Sequence, residues 1–246
     1  MTDWEGAFNL RDLGGLPVTG GGTTAHGRVY RSGRPETLTD AGWSALRAAG
    51  VRTIIDLRNA PERQRRDTDP VLATEHVEGV VVVHAPTEDP DDAEFMRVCG
   101  PWLDHPRSYA DNTRMYPERF AAVFTALASA EGGALFHCAG GRDRTGMIAA
   151  MLLTLAEVER ESILLDYAAG FREASRRHSR DLPAVPLPGQ GGYVEPKFSD
   201  DEIEERIAER VAALGEWLSH LDVRAYLRDA GVTGSDVDAL ARRLRR

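Results

Sequence analysis

The chain of 246 residues is long enough to bury a sizeable core and short enough for one domain with a sub-domain. Its 42% hydrophobic and 28% charged residues are those of a soluble globular protein and exclude a largely disordered chain. Acids outnumber bases 39 to 30, and the formal charge of −9 disfavours nonspecific nucleic-acid binding while leaving room for a local basic pocket.

In chain order, the first 35 residues are Gly-rich, with short extended pieces at Leu16–Val18 and Arg28–Tyr30. Thr39–Ala49 reads as a helix: Thr39 can cap it, Trp43, Leu46 and Ala49 share a face, and Gly50 stops it. Val51–Leu57 and Gly79–Val83 are apolar runs typical of buried strands, with a polar helical turn at Ala60–Arg66 between them. Residues 86–112, rich in Asp and Pro, read as a long loop with a little helix. Pro117–Ala130 is a helix with a stripe of Phe120, Val123, Phe124 and Leu127, and Ala134–His137 is a third strand. Helices follow at Met147–Val158 and Glu161–Arg176. Alternation of strands and helices predicts an α/β fold, a central sheet flanked by helices.

Prolines and glycines at 183–198 suggest a hinge. The capping box Ser199-Asp200-Asp201-Glu202 then opens an amphipathic helix, followed by shorter ones at Val223–Ala230 and Asp236–Arg245. The expected organisation is a core over 1–180 and a helical C-terminal extension over 181–246, packed on it as a sub-domain within a single domain. Residues 183–221 are a candidate lid. Two cysteines, Cys99 and Cys138, cannot build a disulfide framework or a Cys-rich zinc site. No basic and apolar leader opens the chain, and the longest apolar run, Met147–Leu155, is about half a membrane span. A cytoplasmic location is expected, with no membrane span and no nucleic-acid partner.

The informative segment is His137-Cys138-Ala139-Gly140-Gly141-Arg142-Asp143-Arg144-Thr145-Gly146. A buried strand delivers Cys138, two glycines let amide groups turn inward, and a helix begins at once. That is a cup of N–H donors on a helix N-terminus, suited to an anion such as inorganic phosphate. Cys138 would attack phosphorus as a thiolate, the loop amides of Ala139, Gly140, Gly141, Arg142, Thr145 and Gly146 would line the anion, and the Arg144 fork would hold its oxygens. The Thr145 hydroxyl can bond the thiolate, and His137 orients the loop. No metal or organic cofactor is needed, because amides and Arg144 supply the electrostatics.

This motif resembles the signature of the protein tyrosine phosphatase superfamily. It is most similar to the bacterial tyrosine/lipid phosphatases of dual or triple specificity, whose loop reads H-C-x-A-G-K-D-R-T-G. Asn9-Leu10-Arg11-Asp12-Leu13-Gly14-Gly15, Tyr30-Arg31-Ser32, Ile55-Asp56-Leu57-Arg58 and Ala225-Tyr226-Leu227 are similar to strings of that family. Arg142 stands where the family has Lys, and Gly140 where it has Ala. The resemblance implies a cysteine-dependent phosphatase acting on phosphotyrosine, with phosphoserine, phosphothreonine or phosphoinositides as further substrates. It also implies Asp143 as general acid, with Asp104, in a Trp-Leu-Asp string, as the alternative and Asp111 as a third option. A small-molecule phosphatase for inositol phosphates or nucleotides, and a silent phosphate-binding module, remain competing readings. Asp56 and Arg58 either line the pocket or pair as scaffold. Cys99 reads as a packed thiol, and Arg172, Arg176, Arg177 and Arg180 as a solvated helix face or a basic rim.

Overall fold

A computed structural model describes residues 3–73, 79–181 and 196–245. Five strands form one sheet: β1 (Arg11–Asp12), β2 (Val29–Ser32), β3 (Val51–Asp56), β4 (Val81–His84) and β5 (Gly133–His137), in the order β1-β2-β5-β3-β4. The pairs β2/β5, β5/β3 and β3/β4 are parallel, and only the short β1 runs antiparallel to its neighbour. Strand side chains alternate between faces. Tyr30, Ile54 and Leu135 therefore join Trp43 and Leu46 of α1 (Asp40–Ala48), while Val29, Ile55, Ala134 and Phe136 point into the opposite layer. The Thr39 hydroxyl accepts from Gly42 N and caps α1 as expected.

The second layer is built around α5 (Asp143–Leu155), buried on every side from Met147 to Leu153. An all-apolar helix must be covered all round. Here α6 (Arg160–Asp181) packs against it, α4 (Pro117–Ser129) adds Phe120, Val123, Phe124 and Leu127 to the layer, and α7 (Asp200–His220), α8 (Val223–Asp229) and α9 (Gly234–Arg245) send Leu214, Trp217, Val223, Leu227, Leu240 and Leu244 into the same core. The Ser199/Glu202 capping box is formed. Two short helices, α2 (Ala93–Val98) and α3 (Tyr109–Met115), occupy the long loop. No helix among the described residues is long and apolar enough to cross a membrane.

Two expectations change. The second apolar run forms β4, but this is the edge strand, and Val81 and Val82 are 62% and 45% exposed rather than buried. With a single strand neighbour it is not enclosed as β5 is. The antiparallel β1 was not expected, because two polar residues carry no strand pattern. Of the proposed hinge and lid, residues 182–195 lie outside the described residues.

Candidate active site

Parallel strands end on one side of a sheet, and that edge is where α/β proteins gather their ligand sites. Here β5 is the central strand, fully buried, and Cys138 follows its last residue with only 3% of its surface exposed. The chain turns through Ala139–Arg142 and enters α5 at Asp143. Gly141 has φ +66°, and a Cβ there would lie 2.5 Å from the Ser32 carbonyl, so only glycine fits. Gly140 is different: a Cβ would meet only the Arg142 side chain, at 3.9 Å. Of the two glycines read as necessary, one is.

Arg144 sits in the first turn of α5. Its Nη1 and Nη2 each donate to one oxygen of Glu62 at 2.6 Å, and its Nε lies 3.6 Å from Glu88 Oε2. Burial alone would raise the Glu62 carboxyl, but the hydrogen bonds and charge of Arg144 outweigh it and hold it below its usual value. Glu88 has no such hydrogen bond. Burial pushes it up to about 7, with Arg144 opposing and Glu62 and Asp143 adding to the rise. Asp143 behaves similarly: burial raises it to about 6, against the pull of Arg142, with Asp104 adding to the rise. Asp143 Oδ2 accepts from Arg142 Nε at 2.7 Å, and Oδ1 is buried without a hydrogen-bond partner. A buried thiol, a guanidinium and two carboxyls that titrate near neutrality thus meet at a helix N-terminus.

The chain matches the tyrosine phosphatase family over residues 2–246. It belongs to that family. A protein named as a tyrosine-protein phosphatase in Cupriavidus necator is 32% identical over 240 residues, covering 90% of this chain and 81% of the relative. The triple specificity protein phosphatase PtpB of Mycobacterium tuberculosis is 26% identical over 274 residues, covering 98% and 97%. Among solved structures, TpbA of P. aeruginosa is similar at 18% identity and a TM-score of 0.40, over 83% of this chain and 86% of that one.

Within this phosphatase, the residues named from sequence fall into three groups. Cys138, Arg142, Asp143 and Arg144 converge, and Asp104 joins them from the long loop: its Oδ2 lies 3.1 Å from Arg210 Nη2 and 3.8 Å from Arg142 Nη2. Both guanidiniums stack on the Phe171 ring. Asp111 is not among them, being paired with Arg114 on exposed surface.

Asp56 and Arg58 face each other. Arg58 Nε and Nη2 each donate to Asp56 at 2.9 Å, both residues nearly sealed from solvent, and Nη2 also reaches the partly exposed Glu36 at 2.6 Å. This is the scaffold reading: the two pair with each other, and Glu36 completes the cluster. His137 is buried, its Nδ1 3.0 Å from the Cys138 carbonyl oxygen. Burial lowers its pKa against the pull of Asp56. Thr145 Oγ1 makes no bond to the thiol and has no hydrogen-bond partner, because it faces packed interior. Arg172 and Arg176 lie on a solvated face, as one of the two readings has it, and there pair with Glu204 and Asp200 of α7. The Arg180 side chain lies outside the described residues.

Sequence reading missed Glu62 and Glu88. Glu62 sits on the turn after β3, where it also accepts from Asn59 N, and an Asn-x-x-Glu capping box was its visible signal. Glu88 lies in the loop after β4, and its position beyond a strand's C-terminal end was the only hint.

Proposed function

We propose that the chain is a cysteine-dependent phosphatase that hydrolyses phosphotyrosine and, with Arg142 adding positive charge beside the cup, phosphoserine, phosphothreonine or phosphoinositide monoesters as well. The observation that carries this is Cys138 at the end of the central strand, one loop before a helix whose first turn presents Arg144 held by Glu62. The name of the PtpB relative, a triple specificity protein phosphatase, supports the broader range.

Cys138 Sγ attacks phosphorus from below while loop amides and Arg144 hold the equatorial oxygens. Glu62 engages one N–H each of Nη1 and Nη2 and Nε faces Glu88, leaving the second N–H of each Nη for the phosphoryl group. The P–O bond to the leaving group breaks, and its oxygen takes a proton from Asp143. Water then attacks the phosphocysteine, its proton passes to the Asp143 carboxylate, and the S–P bond breaks to return the thiolate and release phosphate. Asp143 fits this role because its carboxyl retains a proton at mildly acidic pH and Oδ1 is not engaged by protein. Asp104 is half exposed, and its carboxylate is engaged by Arg210 and Arg142. The C-terminal helices share the main apolar core, which supports a single domain.

The test is a panel of phosphotyrosine, phosphoserine and phosphothreonine peptides and phosphoinositides, with and without chelator, for the wild type and Cys138→Ser. The wild type should turn over with chelator present and be blocked by vanadate, and rapid quench should trap a phosphocysteine. Cys138→Ser should lose turnover and still bind phosphate. Turnover by Cys138→Ser within tenfold of wild type, or loss in chelator restored by a divalent metal, would overturn the proposal.

A further inference from the structure

Anion cups of this kind depend on which way their peptide groups face. A peptide unit is planar and trans, so its C=O and N–H point in opposite directions. An inward N–H therefore needs an outward C=O, and a buried outward C=O needs its own donor. Three such carbonyls precede α5, and each has one. Arg34 N donates to Ala139 O at 3.1 Å. Asn9 Nδ2 donates to Gly140 O and Gly141 O, both at 3.0 Å, and Arg31 Nη2 also reaches Gly141 O at 2.9 Å. The partner N–H groups of these peptide units are those of Gly140, Gly141 and Arg142.

Asn9 is built for the position. It is fully buried, with φ 51°, a backbone region that Asn occupies more readily than most residues. Its carboxamide can point only one way: Oδ1 accepts from Arg11 Nη1 at 2.6 Å, which cannot accept, and Nδ2 faces carbonyls, which cannot donate. A third carbonyl, that of Gly170 on α6, lies 3.0 Å from Nδ2. Asp166, also on α6, holds both Arg11 and Arg31. One side chain near the N-terminus thus joins the catalytic loop to the helix behind it.

We propose that Asn9 is a positioning residue for phosphoryl transfer, turning the carbonyls of Gly140 and Gly141 outward so that the amides of Gly141 and Arg142 are set on the phosphoryl oxygens before substrate arrives. This rests on the loop being the oxyanion site proposed above. Amides fixed in advance act most strongly on the trigonal bipyramid of the transition state, so their loss should appear in kcat more than in KM.

Two variants separate positioning from folding. Asn9→Asp keeps the acceptor for Arg11 and deletes the N–H donors. Asn9→Gly tolerates the left-handed backbone and removes the clamp with no charge change. Both should lower kcat for p-nitrophenyl phosphate by roughly 10²–10³, the loss seen on removing one oxyanion donor, with KM within about threefold. The vanadate inhibition constant should rise in parallel with the loss in kcat, while inorganic phosphate affinity moves much less. In ¹⁵N spectra of wild type, the Gly141 and Arg142 amides should shift strongly on vanadate addition, and in Asn9→Gly these shifts should shrink. Wild-type spectra are readable even if neither variant folds, and loop amides unmoved by vanadate would overturn the proposal. So would folded variants with kcat and vanadate affinity within threefold of wild type. A wild type that binds vanadate at these amides yet hydrolyses no phosphoester would refute the proposed function and with it a role in phosphoryl transfer, whereas an active wild type with unaffected Asn9 variants would overturn the positioning role alone.

Discussion

Asp143→Asn should slow catalysis and stabilise the protein at the same time. Burial lifts the Asp143 carboxyl from an ordinary 3.8 to about 6. At pH 7 roughly one tenth of the folded molecules then carry the proton, against about one in 1,600 for an ordinary carboxyl, an enrichment of about 150-fold. The same shift has a stability sign. The folded value lies above the unfolded one, so the folded state binds the proton more tightly, and stability is lost as pH rises from 3.8 through 6. Side-chain exposure is only 14%, so screening removes little of the effect. The loss amounts to about 3 kcal/mol at pH 7 and about 1.6 kcal/mol at pH 5. An isosteric Asn carries no such loss, although Arg142 gives up an ionic partner. Asp143→Asn should therefore melt higher than wild type at pH 7, with an advantage roughly halved at pH 5. Its kcat should fall far more for tyrosine phosphate than for a nitrophenyl phosphate, and the decline of rate above pH 6 should flatten. Denaturant melts at the two pH values and a leaving-group series check this. A variant less stable than wild type at both pH values, with unchanged leaving-group dependence, would refute the reasoning.

Glu62→Gln removes the charge of the Arg144 clamp and, because an amide nitrogen cannot accept, one of its two hydrogen bonds, so kcat/KM should drop by about 10- to 100-fold with the fold intact by circular dichroism. Leu240→Ala, on the fully buried face of α9, should cost about 2–5 kcal/mol and lower a single cooperative transition, because that residue belongs to the core around α5. A separate early transition for the C-terminal helices would contradict the single-domain reading.

Helices were legible where apolar spacing and caps agreed. Trp43 and Leu46 fall on the inner face of α1 behind Thr39, and Ser199 with Glu202 opens α7. Strand content was legible in β3 and β5, whose positions inside the sheet require apolar residues on both faces. The run of valines before His84 carried the same signal and became an edge, since composition does not record how many neighbours a strand acquires. At the site, Cys138, Arg144 and Asp143 were visible because one short loop holds them together. Glu62 and Glu88 were not, because they reach Arg144 from turns 82 and 56 residues away in sequence, and a carboxylate on a polar turn has no pattern of its own. The Thr145 contact with the thiol was expected from adjacency at the helix start and is absent from the observed rotamer.

The placement of Cys138 directly after the central strand bears on how activity should decay over time. β5 is bonded on both sides, to β2 and β3, and buried along its whole length. Such strands open last, with an opening free energy close to that of the entire domain. A nucleophile on a frayed edge can die by local melting long before the fold does. Here the half-life of activity on heating should instead match the rate of cooperative unfolding, and alkylation of the thiol in the resting enzyme should proceed from above, through the mouth of the cup, rather than by breathing of the sheet.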